Sequence, residues 1–185
     1  CASSSKINPR YFEAARETGR LLAQNGMRCV CGAGNQGLMG TLADSVLENG
    51  GEVLGVIPRF MIDEGWCHKG LTETIVTADM HDRKERMAQE ADAVIALPGG
   101  CGTMEELFEI ITWKQLGLFL NPIVILNIDG YYNPLIEMLH NAIGENFMRQ
   151  EHARMWQVAQ TPQEAVDAIQ NIPVWDKTIR KIAAI

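Results

Sequence analysis

Apolar and polar positions follow two periods along this chain, and the switches between them mark out its elements. Asn8-Pro9 pairs a capping residue with proline at a first helical position. Phe12, Ala15, Gly19 and Leu22 then carry a helical stripe on to Gly26, a natural stop. The pattern next predicts a strand over Arg28 to Cys31, a loop Gly32-Ala33-Gly34-Asn35-Gln36-Gly37, a helix from about Leu38 to Glu48, and a strand from Glu52 to Ile57 closed by Pro58. Arg59 to Gly70 is polar and irregular. Thr74 to Thr77 reads as a strand, His81 to Ala91 as a helix, and the run Ala93-Val94-Ile95-Ala96-Leu97 as a strand. A helix is expected to open at Thr103, followed by a strand over Ile123 to Asn127, a helix from Asn133 to Asn146, and a short helix capped by Thr161-Pro162.

This alternation, with apolar β-branched strands, predicts an α/β fold: a Rossmann-like, doubly wound, mostly parallel sheet with helices on both faces. In such sheets ligands bind outside the carboxyl ends of the strands, where helix N-termini point. Two glycine-rich loops follow predicted strands, so both are expected at that edge, serving one nucleotide-like site. With 185 residues and 46% hydrophobic content, the chain can bury one core and is short for two ordinary domains. Residues 1–185 therefore read as a single domain.

A net charge of −7 and a pI near 5.1 argue against a general nucleic-acid-binding surface. Apolar stretches such as Ile123-Val124-Ile125-Leu126 fall far short of the roughly 18 residues that a spanning helix needs, so no membrane partner is expected. Five cysteines, Cys1, Cys29, Cys31, Cys67 and Cys101, make an odd set without paired metal spacing, which points to a reducing compartment. Cys29 and Cys31 share one strand face and read as small buried hydrophobes. With no signal-like opening segment, the reading is a cytoplasmic protein whose first residues are the tail of a truncated strand.

The chemistry concentrates in Pro98-Gly99-Gly100-Cys101-Gly102-Thr103-Met104-Glu105-Glu106. Glycines allow tight turning and close approach of a ligand to the backbone, and a helix N-terminus behind them supplies unpaired N–H groups with positive dipole character. An anion is the expected guest, with Glu105 and Glu106 beside it in the first turn. Thr103-Met104-Glu105-Glu106 also matches a capping box, which by itself would account for Glu106. Helical spacing puts Glu105, Glu109 and Thr112 on one polar stripe, with Leu107, Ile110, Ile111 and Leu118 toward the core.

The other loop matches G-x-G-x-x-G through Gly32, Gly34 and Gly37. Glu52 has the right count for the acid that holds a dinucleotide ribose but lies at the start of its strand, whose end reads Ile57-Pro58-Arg59, so a mononucleotide is favoured over NAD. His81-Asp82-Arg83-Lys84-Glu85-Arg86 places cations at a helix start on the ligand edge. This is either a solvated charged turn or, at Arg83, a bidentate clamp for phosphate or carboxylate. Asp129-Gly130-Tyr131-Tyr132 is either an aromatic wall of the site or a turn packed by its own tyrosines.

Taken together, Met80-His81-Asp82-Arg83-Lys84, the segment Leu97 to Glu106, Leu38-Met39-Gly40, Val56-Ile57-Pro58-Arg59, Leu71-Thr72-Glu73 and Asn127 to Tyr132 resemble the Lonely Guy family over nearly the whole chain. Its members include the cytokinin-activating phosphoribohydrolases of plants. The resemblance implies hydrolysis of the N-glycosidic bond of a nucleoside 5′-monophosphate, AMP or a cytokinin riboside monophosphate, to free base and ribose 5-phosphate. It matches Arg83 and Glu106 to the catalytic pair. Lys84, Gly100, Cys101, Gly102, Thr103, Met104, Glu105 and Thr112 fall on binding positions, with Gly34, Gly37 and Gly99 as phosphate or loop contacts. It also implies a homodimer and no metal or organic cofactor. The family's other label, lysine decarboxylase, would call for pyridoxal phosphate on a lysine, and no such lysine motif is identified. The rival reading is a non-enzymatic nucleotide carrier or sensor.

Overall fold

A computed structural model of the chain describes residues 6–175 and 177–183, so the expected N-terminal strand tail lies outside the described residues. The chain forms two compact units, Cys1–Ala91 and Asp92–Ile185. The first contains helix α1 (Pro9–Gln24), strand β1 (Cys29–Cys31), α2 (Gly37–Glu48), β2 (Val53–Pro58), α3 (Arg59–Asp63), β3 (Glu73–Thr77) and α4 (Met80–Gln89). The second contains β4 (Val94–Ala96), α5 (Cys101–Gln115), β5 (Ile123–Leu126), α6 (Asn133–Gly144), β6 (Gln157–Ala159), α7 (Pro162–Asn171) and α8 (Arg180–Ala183).

In the first unit β1, β2 and β3 pair in that order, all parallel, with Cys29 opposite Val53 and Pro58 opposite Thr77. Every residue of β2 is buried, as a central strand covered on both faces requires. Cys29, Cys31, Met39, Leu42, Ala43, Val46 and Val53 form a core cluster, and both thiols are buried and unpaired, as their shared strand face predicted. The Asn8 side chain accepts from the Arg10 N–H at 3.2 Å and starts α1.

In the second unit β4, β5 and β6 pair in order, again parallel, with Val94 opposite Ile123 and Leu126 opposite Ala159. All of β5 is buried. Thr161 caps α7 by accepting from the Glu164 N–H at 3.2 Å.

Three local expectations need correction, and one strand was not foreseen. The segment after β2 is not wholly irregular, because Arg59–Asp63 winds one short helix. The strand β6 carries no apolar alternation and is only seen once β5 pairs with it. Helix α5 starts at Cys101 rather than Thr103. Leu118, expected in the core, is 63% exposed: it lies beyond Gly117, whose φ of +68° ends the helical spacing that the stripe assumed.

Candidate active site

At the carboxyl end of β4 the chain runs through Leu97, Pro98 and Gly99, all buried, to Gly100, the N-cap of α5. Gly100 has no side chain to cap with, so the first N–H groups of α5 receive no side-chain cap from it. A Cβ at Gly100 or Gly102 would meet nothing within 4 Å, so this side of the turn is open. Gly99 is the opposite case: a Cβ there would sit 2.1 Å from the Thr103 hydroxyl oxygen. That close approach explains why the residue is glycine.

Thr103 is only 4% exposed, and its Oγ1 finds no hydrogen-bond partner among the described residues. Burial without a partner is costly, so a group of this kind calls for a specific explanation. The Thr103–Glu106 capping box is absent, because Thr103 is the third residue of the helix rather than its cap. Glu105 and Glu106 consequently lie in the second turn, Glu105 exposed and Glu106 half-buried, so capping does not account for Glu106. Cys101 is exposed at the first helical position and Met104 is half-buried. Thr112 is exposed one face further along, with its hydroxyl donating to the Phe108 carbonyl at 2.8 Å.

The two readings of the Asp129–Tyr132 turn merge into a third. Asp129 and Gly130 both adopt left-handed backbone, with φ of +48° and +74°. From this turn the Tyr131 hydroxyl donates to the Gly99 carbonyl at 2.7 Å, and the Tyr132 hydroxyl to the Leu97 carbonyl at 2.6 Å. The rings meet edge to face at 4.9 Å. Asn127 Oδ1 accepts from the Tyr132 N–H at 2.7 Å and steadies the turn. The tyrosines thus brace the loop that leads into α5, and burial pushes the Tyr132 phenol well above its ordinary range. Sequence reasoning missed this role, since the braced carbonyls lie more than thirty positions away.

In the first unit the charged helix start is solvated at His81, Asp82, Glu85 and Arg86 but not at Arg83 and Lys84. Arg83 is 4% exposed and Lys84 is 9% exposed, a placement that charged side chains rarely take without a specific partner. Arg83 Nε donates to the Val56 carbonyl at 3.0 Å, across from β2. Its guanidinium reaches the first glycine loop, where a Cβ on Gly32 would stand 1.7 Å from Nη2. The structure therefore brings Gly32 and Arg83 together from 51 positions apart. Asp79 caps α4 by accepting from the N–H groups of His81 and Asp82 at 2.8 and 2.9 Å, which hold its carboxyl below the usual range. The Asp79-x-x-Asp82 spacing was the available signal for this cap. Beside Arg83, the Cys31 thiol is held below its usual range, chiefly by a hydrogen bond with Cys29, and further by the Ala33 N–H and the Arg83 charge.

The loop itself is occupied with its own structure. Ala33 is buried at a φ of +59°, Gly34 N–H points at the Met39 sulfur at 3.0 Å, and Asn35 N–H donates to the Trp66 carbonyl at 3.0 Å. Gly37 opens α2 at a φ of +62°.

Parallel strands with glycine loops at their carboxyl ends, each leading toward a helix, define a Rossmann-like α/β protein of the nucleotide-binding type. The profile of the family described as possible lysine decarboxylase matches residues 39–169, and the chain belongs to this family, the Lonely Guy (LOG) family. The cytokinin riboside 5′-monophosphate phosphoribohydrolase LOG7 of Arabidopsis thaliana is 41% identical, over 97% of this chain and 88% of its own length. The phosphoribohydrolase of Rhodococcoides fascians with the same substrate in its name is 46% identical, over 80% of this chain and 75% of its own. Among solved structures, a molybdenum cofactor carrier protein from Chlamydomonas reinhardtii matches with a TM-score of 0.70 over 91% of both chains. At 20% identity that likeness is one of fold alone.

Proposed function

We propose that this chain is a nucleoside 5′-monophosphate phosphoribohydrolase, which uses water to cleave the N-glycosidic bond of AMP or a cytokinin riboside monophosphate and releases free base and ribose 5-phosphate. The observation that carries the reading is the buried, partnerless Thr103 hydroxyl behind the open Gly100–Gly102 turn at the start of α5. An anionic ligand would satisfy both that hydroxyl and the helix amides. The hydrolase names of the close relatives favour this reading over a carrier, for which the likeness extends to the fold alone.

In this mechanism Gly100, Gly102 and Thr103 hold the 5′-phosphate, with Gly99 leaving room for Thr103. Bond cleavage builds oxocarbenium character on the ribose, and Glu106 stabilises that charge or activates the attacking water. Arg83 orients the ligand or the carboxylate, with Val56 fixing its Nε. Lys84, Cys101, Met104, Glu105 and Thr112 take the family's binding positions, while Gly34 and Gly37 shape the first loop. The proposal includes a homodimer of single-domain subunits, as the resemblance implies, and a cytoplasmic location, which the unpaired cysteines among the described residues suit. No helix among the described residues is long and apolar enough to cross a membrane.

Product analysis across purine, pyrimidine and N6-substituted nucleotides tests the assignment, with free base plus ribose 5-phosphate expected from at least one. Glu106→Gln keeps size and removes charge, and turnover should fall by roughly 10²-fold or more. Tight nucleotide binding without any released base would return the protein to the carrier reading.

A further inference from the structure

Within the second unit, the peptide that joins Gly99 to Gly100 stands directly before α5, and its own two residues do little to fix its orientation. Flipping that peptide plane turns ψ of Gly99 and φ of Gly100 by about half a turn in opposite senses. Gly100 would pass from its φ of −87° to a positive value, which glycine accepts and other residues resist. A Cβ at Gly100 would meet nothing within 4 Å, so no packing on that side of the turn opposes the flip. The same turn is lined by the buried Thr103 hydroxyl, whose oxygen would stand 2.1 Å from a Cβ on Gly99.

A hydrogen bond from outside the turn opposes the flip: the Tyr131 hydroxyl donates to the Gly99 carbonyl at 2.7 Å, a good length for an O–H donor. That donor is placed from the sheet. The Asn127 N–H donates to the Ala159 carbonyl of β6 at 2.8 Å, Asn127 Nδ2 donates to Asn133 Oδ1 at 2.8 Å, and the left-handed Asp129 and Gly130 then turn the chain. In a trans peptide the carbonyl and the following N–H point in opposite directions, and no described residue has a cis peptide bond. Holding the Gly99 carbonyl toward Tyr131 therefore aims the Gly100 N–H away from it. A flipped peptide would put a carbonyl oxygen in that place, where it would repel an anion. We propose that Tyr131 is a positioning residue of the phosphate site, whose hydroxyl keeps the N–H of the Gly99–Gly100 peptide, and not its carbonyl, toward the 5′-phosphate of the substrate. This inference rests on the phosphoribohydrolase reading above, and it names the residue that sets the polarity of the anion site.

The test uses the full chain, with Tyr131→Phe and Tyr132→Phe beside the parent protein and ribose 5-phosphate as the probe. The Tyr131 ring is 40% exposed, so losing its hydroxyl should leave the melting temperature nearly unchanged. Calorimetry should find ribose 5-phosphate bound roughly tenfold or more weakly by Tyr131→Phe, the size of one charge-assisted hydrogen bond. The KM for AMP should rise in step. In isotope-labelled parent protein the Gly100 amide proton should move downfield on adding ribose 5-phosphate, and Tyr131→Phe should lose most of that shift. Tyr132→Phe is the contrast, because the Leu97 carbonyl it leaves behind precedes Pro98, which has no N–H to aim. It should lower the melting temperature and cost much less phosphate affinity than Tyr131→Phe. An unchanged affinity for ribose 5-phosphate in Tyr131→Phe overturns the assignment, as does an equal loss in both variants or a Gly100 amide that ignores the ligand. A parent that binds no ribose 5-phosphate overturns it too. The two readings fail separately. A parent that releases no base sinks the hydrolase, while ribose 5-phosphate binding and the Gly100 signal still decide the role of Tyr131. A parent that releases base alongside an unaffected Tyr131→Phe sinks only that role.

Discussion

At the scale of single residues, two positions separate function from stability. Thr103→Val replaces a buried partnerless hydroxyl by a methyl group of the same shape. In the free protein this removes a desolvation cost on the order of 1–3 kcal/mol, so the melting temperature should hold or rise. AMP affinity should fall, because the ligand loses a hydrogen bond. A variant that is destabilised and binds AMP normally would show that Thr103 serves the fold and not the ligand. Gly32→Ala drives a methyl group into the end of Arg83, a flexible side chain that can give way. Its stability should change by about 1 kcal/mol or less, while turnover falls as steeply as in Arg83→Ala. Equal activity of Gly32→Ala and parent, measured as kcat/KM on AMP, would remove the Gly32–Arg83 contact from the mechanism. Both residues were legible in the sequence as motif members. Their reasons were not, since the orphan hydroxyl and the close approach of the guanidinium to Gly32 exist only once distant atoms are packed.

At the scale of elements, α5 carries chemistry at its start and a buried cation near its end. Lys114 is fully buried, its Nζ donates to the Asn121 carbonyl at 2.7 Å and lies 5.3 Å from the centre of the Trp175 ring. Burial lowers its pKa from the ordinary 10.5 to about 8. The sign follows from proton counts. Between pH 8 and 10.5 the unfolded chain holds more protons on this lysine than the folded one, so folding stability gained from its deprotonation rises across that window. Below about pH 8 both states are charged and the full burial cost applies. The stability of the parent relative to Lys114→Met should therefore increase as pH is raised from 7 to 10, and paired denaturation curves read it directly. A flat or opposite trend would mean that Lys114 is solvated. The braced loop belongs to this scale too: Tyr132→Phe leaves the Leu97 carbonyl short of its 2.6 Å donor.

At the scale of the whole molecule, the phosphate site and the bond to be broken must cooperate through the substrate. Binding energy from a remote phosphate can position the ribose, so adenosine should lose turnover as well as affinity relative to AMP. Comparing kcat and KM for both substrates at one pH and salt concentration checks this. Equal kcat/KM would move the assignment toward nucleosides. A dimer is expected by light scattering at micromolar concentration, and the apolar side chains Phe108, Leu116 and Leu118, exposed in the single chain, are available for such a contact. A stable monomer would refute it.

The sequence alone determined the order of the strands and helices other than α3, β6 and α8, the two glycine loops and the family motif. Each of these is written in a few adjacent residues, through the apolar period, proline and glycine at turns, and capping side chains at α1 and α7. It also marked Arg83 and Glu106 for attention, while leaving a solvated turn and a capping box as equal explanations. Tertiary structure removed both by burying Arg83 beneath Val56 and by starting α5 two residues before Thr103. It alone decided the pairing of β6, the exposure of Leu118, the tyrosine braces and the pairing of Asn35 with Trp66. The physical reason is the same in each case: whether a polar group is solvated, satisfied or left waiting depends on what it meets in space, often thirty to fifty positions away in the chain, and no local pattern records that.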